Sequence, residues 1–179
     1  MIEAFSGLQA RLDGRRLLLL NAIYPVAASE QEAAACRSLI ASHPEAAPHI
    51  ELVTDYLDDQ AVLARLAEAE LIVFPYQFTQ ESSSAAVRFA LATGRPVACT
   101  PLSIFDDIAA VTHRLPGTAP EAIAAGIEDL LGTPQRLASL ATRQAAWLAE
   151  HDWQVVSQRL WNMLRAPAIT DLVAADRRS

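Results

Sequence analysis

Residues 71–97 form one continuous pattern of strand, loop, helix and strand, and this stretch constrains the fold more than any other part of the chain. The apolar residues 71–75 predict a buried strand. Three serines at 82–84 are good N-terminal caps for a nearly uncharged helix, and Gly94 is a common type of residue at a helix end. Residues 96–100 then predict a second strand. A helix between two strands is the connection that parallel pairing needs, so this stretch predicts a βαβ unit.

The same alternation of short apolar runs and helical patterns covers the rest of the chain. It is typical of an α/β fold with a Rossmann-like parallel sheet and helices on both faces. Ser29 and either Asp58 or Asp59 are the predicted caps of two helices. The other predicted strands are 17–22, 49–54 and a weaker 111–115, and the other predicted helices are 30–42, 59–70, 120–131 and 134–165 with a break near 151 and 152.

Length and charge limit the class of protein. The chain has 179 residues, of which 52% are hydrophobic, and we expect one domain over 1–179 with a core at 17–165 and a tail at 166–179. The formal net charge of -7 argues against nucleic acid as a partner, because phosphate backbones require a basic face. All 14 basic residues are arginine, which excludes a Schiff-base lysine, a P-loop lysine and a phosphorelay lysine.

The number of cysteines and the length of the apolar runs indicate in which cellular compartment the protein is expected. Cys36 and Cys99 are too few for a disulfide framework or a zinc site, and their apolar neighbours suit buried free thiols. The longest apolar run near the start, residues 17–20, is far shorter than a membrane span or a signal sequence. We therefore expect a protein of a reducing, cytoplasmic compartment with no transmembrane segment.

The loop that ends at Glu81 is the first candidate for chemistry. In open parallel sheets, ligands bind beyond the carboxyl ends of the strands, where helix N-termini present free amides. Glu81, Ser82, Ser83 and Ser84 combine a carboxylate, hydroxyls and amides at such a place, and this set suits sugar hydroxyls and a diphosphate. The alternative is an ordinary capped helix with Glu81 near the positive end of its dipole.

The single charge within the following helix is Arg88. An arginine on an apolar helix is costly unless it meets a carboxylate or a phosphate, so it is a candidate for the same diphosphate. The alternative is a structural ion pair with Asp106 or Asp107. These adjacent acids have no further ligands at suitable spacing, and we assign no metal site.

Six residues of the 71–97 stretch occur in the order and spacing of a known pattern: Pro75, Glu81, Gly94, Arg95, Pro96 and Val97. The pattern resembles the donor-sugar half of retaining, family 4 type glycosyltransferases of GT-B architecture. In that family a strand ending in proline leads to a Glu-Gly-Phe-Gly turn and later to an Ala-Gly-Lys-Pro-Val-Val-like strand. The residues at 151–153, His-Asp-Trp, resemble the start of the family's terminal helix. The resemblance covers residues 17–164 and implies the C-terminal half of a GT-B fold.

The resemblance implies roles for particular residues. Glu81 corresponds to the glutamate that contacts the transferred sugar, and the serines at 82–84 correspond to small residues that lie against the phosphates. Ser103 and Ile104 fall where the family lines its donor pocket. The implied donor substrate is a nucleotide-diphosphate sugar, and the resemblance implies neither a cofactor nor a bound metal.

A complete GT-B enzyme needs a second domain of this kind, for which we expect no room in this chain. The resemblance therefore implies part of a longer glycosyltransferase that builds bacterial surface polysaccharide. Such a protein is cytoplasmic, or peripheral at the inner membrane through the parent protein. The isolated domain is then expected to be inactive.

Two ligand contacts of the family are missing here. Phe89 stands where a second glutamate holds the ribose, and residues 21–30 lack the basic residue that meets the diphosphate. These departures leave open a second hypothesis, in which a glycosyltransferase-like module has a structural or interaction role and binds no donor. A nicotinamide or flavin enzyme is excluded, because no Gly-x-Gly-x-x-Gly follows any predicted strand.

Overall fold

The structure is a computed structural model that describes residues 1–165. Its α-helices are α1 (Ile2–Leu8), α2 (Ala27–Ala41), α3 (Asp59–Ala67), α4 (Ala85–Leu91), α5 (Pro120–Leu131), α6 (Pro134–Glu150) and α7 (Trp153–Arg165). Its strands are β1 (Leu17–Leu20), β2 (Ile50–Val53), β3 (Ile72–Phe74), β4 (Val97–Cys99) and β5 (His113–Arg114), and its 3-10 helices are Gln9–Arg11, Ala47–His49 and Ser103–Ile108. The chain divides into two compact units, Met1–Gln144 and the residues from Ala145 onward. The single domain stays a prediction.

Every strand pair among the described residues is parallel. β1 pairs with β2, with Leu17 opposite Ile50, and β3, β4 and β5 form a second sheet in that order, with Ile72 opposite Val97. Helices α2 and α4 are the crossovers of the pairs β1–β2 and β3–β4, α3 links the first sheet to the second, and the 3-10 helix Ser103–Ile108 connects β4 to β5. The predicted α/β fold with parallel strands flanked by helices is therefore confirmed.

Helix α1, which sequence analysis missed, lies in the core of the first unit. Its side chains Ile2, Phe5 and Leu8 are no more than 4% exposed. Their spacing places them on one face of a helix, and this face packs against α5. The buried cluster that joins α1, β4 and α5 includes Ala4, Phe5, Leu8, Leu12, Ala98, Leu115, Ile123, Ile127 and Leu130.

The helix caps follow the predictions in part. The carboxylate of Asp58 accepts a hydrogen bond from the N–H of Ala61 at 2.8 Å, which identifies Asp58 as the cap of α3. The prediction of Ser29 as the cap of α2 was wrong, because the helix begins earlier with Val26 as its N-cap residue. Ser29 instead lies inside the first turn, and its hydroxyl accepts a hydrogen bond from the N–H of Tyr24 at 3.0 Å. The hydroxyl oxygen of Ser29 thus stabilises the loop before α2 and does not cap the helix.

The segment around β4 agrees closely with the predicted unit. Helix α4 ends at Leu91, and a short turn leads to Gly94, whose φ of 70° is a left-handed value that favours glycine. The fifth strand is shorter than the predicted 111–115, although the N–H of Leu115 still donates to the carbonyl of Cys99 at 2.8 Å.

The described part of the second unit contains the end of α6 and all of α7. The predicted helix break at His151 and Asp152 is confirmed. The ring of His151 stacks on Trp147 with centroids 4.0 Å apart, and the carboxylate of Asp152 accepts a hydrogen bond from the N–H of Gln154 at 2.8 Å. The predicted tail lies outside the described residues. None of the helices within residues 1–165 is long and apolar enough to cross a membrane.

Candidate functional site

Two loops meet where the parallel strands β3 and β4 end. We call this place the carboxyl edge and define it by residues 75–84 after β3 and 100–108 after β4. The N–H of Thr100 donates to the carbonyl of Phe74 at 3.1 Å, and its hydroxyl donates to the carbonyl of Tyr76 at 2.6 Å. Thr100 is buried, so these bonds hold the two loops together in a place protected from water.

Aromatic packing supports the same junction. The rings of Tyr76 and Phe105 lie 5.4 Å apart between centroids, and Phe74 meets Tyr76 edge to face at 6.1 Å. Phe105 is buried within the 3-10 helix Ser103–Ile108. The carboxyl edge is therefore built on a packed base, which keeps the loop after β3 close to the start of this 3-10 helix.

Glu81 lies on the solvent side of the carboxyl edge. Its side chain is exposed, and its backbone N–H donates to the hydroxyl of Thr79 at 3.1 Å. No arginine within residues 1–165 forms a salt bridge with Glu81. Its carboxylate is thus free to accept hydrogen bonds from hydroxyl groups of a ligand.

The three serines after Glu81 differ in what they offer. Ser82 and Ser83 are exposed, whereas Ser84 is 3% exposed and caps α4. The hydroxyl of Ser84 accepts a hydrogen bond from the N–H of Val87 at 3.4 Å. Two hydroxyls therefore face solvent, and the third is engaged by its own helix.

Arg88 is held by partners on both sides. It donates to the carbonyl of Ser84 at 3.0 Å and forms an ion pair with the carboxylate of Asp107. Of the two acids considered from the sequence, Asp107 is the partner, whereas Asp106 pairs with Arg114 at 3.3 Å. The two arginines of this region thus each meet a carboxylate, and both ion pairs are partly exposed to water.

The segment after β4 brings Ser103 and Ile104 to the carboxyl edge in different ways. Ser103 is exposed at the start of the 3-10 helix, and Ile104 is 1% exposed with its side chain in the core. The first amides of a helix have no intrahelical acceptor. Ser103 therefore offers a hydroxyl and an amide to a ligand, whereas Ile104 is buried and supports the 3-10 helix from below.

Phe89 occupies the position at which the resemblance has an acid. It lies in the body of α4 and is half-buried. A phenyl ring cannot accept a hydrogen bond from a ribose hydroxyl. The helix that follows the carboxyl edge therefore has an apolar side chain at this position.

Exposed aromatic rings follow three strands, and sequence analysis did not select them. Tyr24, Tyr56 and Phe78 come after β1, β2 and β3 and are 68%, 80% and 78% exposed. Single exposed apolar side chains are common on protein surfaces, so their exposure by itself assigns these rings no role. These residues could have been found from the sequence, because each is an aromatic residue three or four positions beyond the end of a strand.

Neither cysteine nor metal chemistry is indicated at this edge. Both cysteines are free, but only Cys99 is buried as predicted, whereas Cys36 is partly exposed. Burial raises the pKa of Cys99 to about 12, which keeps its thiol protonated and unreactive. Within residues 1–165 no three side chains of His, Cys, Asp or Glu come together as a metal site. The cavity beside Cys99 has a volume of only about 10 Å³, enough for one water molecule.

No protein-family profile matches this sequence, and no curated protein matches it. Solved structures match it along nearly its whole length. Sucrose-phosphate synthase from Thermosynechococcus elongatus is 18% identical with a TM-score of 0.71, covering 97% of this chain and 42% of that chain. HepE from Anabaena, solved in complex with UDP and glucose, is 12% identical with a TM-score of 0.66, covering 92% of this chain and 52% of that chain. WaaG, a glycosyltransferase involved in lipopolysaccharide biosynthesis, is 17% identical with a TM-score of 0.63, covering 93% of this chain and 42% of that chain.

These structural neighbours are GT-B glycosyltransferases, and the likeness shows the fold. The chain is α/β and corresponds to one half of a GT-B fold, as the resemblance implied. It spans between 42% and 52% of the length of these neighbours.

Proposed function

We propose that the chain is the nucleotide-sugar donor-binding domain of a family 4 type glycosyltransferase, equivalent to the C-terminal half of that enzyme. One observation carries the proposal. Nearly the whole chain follows one half of GT-B glycosyltransferases, and one of these neighbours was solved with UDP and glucose. WaaG, which acts in lipopolysaccharide biosynthesis, supports a role in bacterial surface polysaccharide synthesis.

In this proposal Glu81 orients the transferred sugar. Its carboxylate is exposed and has no salt-bridge partner within residues 1–165, so it is available to sugar hydroxyls. Ser82 and Ser83 contribute exposed hydroxyls and amides beside the diphosphate, and Ser84 supports them as the helix cap. Ser103 and Ile104 bound the same space from the loop after β4.

The diphosphate is the leaving group of glycosyl transfer, and its developing negative charge must be stabilised. Arg88 can contribute only by exchanging Asp107 for a phosphate oxygen. This exchange is inexpensive, because a partly exposed ion pair contributes about 0.2–1 kcal/mol. Arg114 also lies near this edge, but it is already paired with Asp106. Further positive charge for the diphosphate must therefore come from elsewhere. We therefore expect the second GT-B domain of the parent protein to complete the site.

A second candidate function rests on Phe89, which replaces the acid that holds the ribose in the family, and on residues 21–30, which lack the family's basic residue. The pairing of Arg88 with Asp107 also engages the arginine that could compensate for these losses. In this alternative the chain is a glycosyltransferase-like module with a structural or interaction role, and it binds no nucleotide sugar.

An NMR titration of isotope-labelled protein with UDP, GDP, dTDP and their sugar conjugates separates the two functions. The donor-site proposal predicts saturable shifts at residues 76–88 and 103–107, with a sugar-dependent part that is lost in Glu81→Gln. Glu121→Gln removes an exposed carboxylate from the first turn of α5 and serves as the matched control. If no nucleotide gives saturable shifts at millimolar concentration, donor binding is contradicted and the second candidate is favoured.

Asp107→Asn sharpens the test of Arg88. Removing the competing carboxylate leaves the guanidinium free for the diphosphate, so nucleotide-diphosphate affinity should rise by about 1.5-fold to fivefold. Asp59→Asn, which removes an exposed carboxylate from the first turn of α3, should leave the affinity unchanged. Weaker binding by Asp107→Asn would mean that Arg88 has a structural role and makes no contact with the donor.

A further inference from the structure

Residues 103–112, which we call the edge segment, carry candidate groups of the carboxyl edge on very little regular structure. The segment consists of the 3-10 helix Ser103–Ile108 and a turn of four residues before β5. A 3-10 helix has poorer hydrogen-bond geometry than an α-helix, so a short one depends on its neighbours for its position. The places of Ser103 and Asp107 therefore depend on what holds the two ends of the edge segment.

The far end of the edge segment is held by two side chains of α6. The Nε2 of Gln144 donates to the carbonyl of Val111 at 2.9 Å, and the Nε of Arg143 donates to the carbonyl of Ala110 at 3.1 Å. Both carbonyls belong to the turn that follows the 3-10 helix. Each bond joins residues 33 positions apart, and both lie within the first unit.

The same turn is bonded to the last residue of the 3-10 helix. The carbonyl of Ile108 accepts from the N–H of Val111 at 3.0 Å and from the hydroxyl of Thr112 at 3.1 Å. All three residues are buried, so water competes little for these bonds. A shift of Val111 would therefore shift the 3-10 helix as well.

Gln144 is an exception on the buried side of α6. It is 0% exposed and lies one helical turn after the buried Leu140, so the amphipathic pattern of α6 favours an apolar residue at this position. Its Oε1 is buried and has no hydrogen-bond donor within residues 1–165. An unpaired buried oxygen lowers stability. Packing alone therefore does not account for a glutamine here, whereas its bond to Val111 does.

We propose that Gln144 is a positioning residue of the carboxyl edge. By holding Val111 it fixes the edge segment. This places Ser103 to face a donor and Asp107 to meet Arg88. The effect on donor binding rests on the proposed function, whereas the hold on the edge segment does not.

Amide hydrogen exchange of the full chain, followed by NMR, tests the hold on the edge segment. Gln144→Met keeps the length of the side chain and removes its amide group. Loss of one hydrogen bond shifts a local opening equilibrium by about twofold to tenfold, so the protection factors of Ala109 and Val111 should fall by this factor. Protection in β1 and β2 should stay unchanged, because the opening is local.

Two further variants separate positioning from general stability. Leu140→Val weakens packing on the same side of α6 and leaves the bond from Gln144 to Val111 in place, so it should not lower the protection of Ala109 relative to β1 and β2. Gln144→Glu is the rescue variant, because burial favours the protonated carboxyl group at about pH 5 and its O–H can donate to the same carbonyl. Its protection factors at that pH should lie within about twofold of the wild type.

The titration with nucleotide sugars tests the link to the donor. In Gln144→Met the shifts at residues 103–107 should become smaller, and affinity should fall by up to about tenfold, because the ligand must then order the edge segment. Leu140→Val should bind like the wild type.

Unchanged protection of Ala109 and Val111 in Gln144→Met, or an equal loss in β1 and β2, would overturn the positioning role. A local loss of protection with unchanged donor affinity would overturn its link to the donor. If no nucleotide sugar binds to the wild type, the proposed function fails, and the exchange experiment still decides whether Gln144 positions the edge segment.

Discussion

Helices α5 and α7 have similar lengths and similar apolar periodicity, but they differ in the exposure of their apolar side chains. In α5 the residues Ile123, Ile127 and Leu130 are no more than 5% exposed. In α7 the residues Leu160 and Leu164 are 52% and 71% exposed. α5 meets α1 and the end of β5 within the first unit, whereas α7 belongs to the second unit and has no buried residue among those described. The comparison teaches that periodicity predicts an apolar face and leaves open what covers it.

The largest expected effect comes from shortening one leucine in each helix. Leu130→Ala leaves a cavity in the cluster of α1, β4 and α5 and should lower the free energy of unfolding by about 2–5 kcal/mol. Leu160→Ala removes a side chain that is already half in water, so it should change this free energy by less than about 0.5 kcal/mol. Urea unfolding of the two variants measures both values. Equal losses of stability in the two leucine variants would erase the distinction between the helices, because the apolar side of α7 would then be as well packed as the face of α5.

A smaller effect is expected at the glycines of the α1 and α5 region. A Cβ on Gly126 would lie 2.6 Å from Leu115 Cδ2 and 2.8 Å from Pro116 Cδ, so Gly126→Ala should lower the free energy of unfolding by about 1–3 kcal/mol. Gly7 has no neighbouring atom within 4 Å of that position, so Gly7→Ala should raise it by about 0.4–1 kcal/mol.

Thermal or urea unfolding of the two alanine variants should thus give shifts of opposite sign. Because both changes add the same methyl group to a helix, they separate the cost of close packing from helix propensity. If Gly126→Ala were as stable as the wild type, the contact between α5 and the end of β5 would be looser than the geometry indicates.

The smallest effect is a pH dependence on the α5 side of the first unit. Burial lowers the pKa of His113 on β5 from its ordinary value of 6.5. The nearby Asp129 acts in the opposite direction, and Arg136 and Arg143 act in the same direction as burial. The unfolded chain therefore binds the proton more readily. The stabilising contribution of the neutral ring is present above pH 6.5 and is lost as the pH falls through the lowered pKa of the folded state.

Urea unfolding at several pH values below 7, for the wild type and for His113→Gln, checks this sign. The wild type should lose stability on acidification more steeply than the variant, because glutamine takes up no proton in this range. Parallel slopes would show that the ring is as well hydrated in the folded protein as in the unfolded chain.

Much of the fold was accessible from local pattern. The βαβ unit, the cap Asp58, the left-handed Gly94 and the helix break at His151 each depend on residues within a few positions of one another. Helix α1 was missed because its apolar pattern is too short to indicate a helix by itself. The helix is stabilised by its packing against α5, which lies far away in the sequence.

The candidate site was accessible only in outline. The sequence indicated the loop that ends at Glu81, and whether this residue and its neighbours bind a donor stays a prediction. The choice of Asp107 over Asp106 as the partner of Arg88 joins residues 19 positions apart, and the use of Ser84 as the cap separates it from Ser82 and Ser83. Both depend on how α4 meets the segment after β4.

By itself the sequence determined the order of the helices and strands from β1 onward, their parallel connection and the acidic charge. These follow from periodicity, caps and composition, which act over a few residues. Only the tertiary structure decided that α1 joins the core and that Arg88 meets Asp107. The physical reason is that contacts between distant segments are selected by packing and burial, which no local pattern of residues specifies.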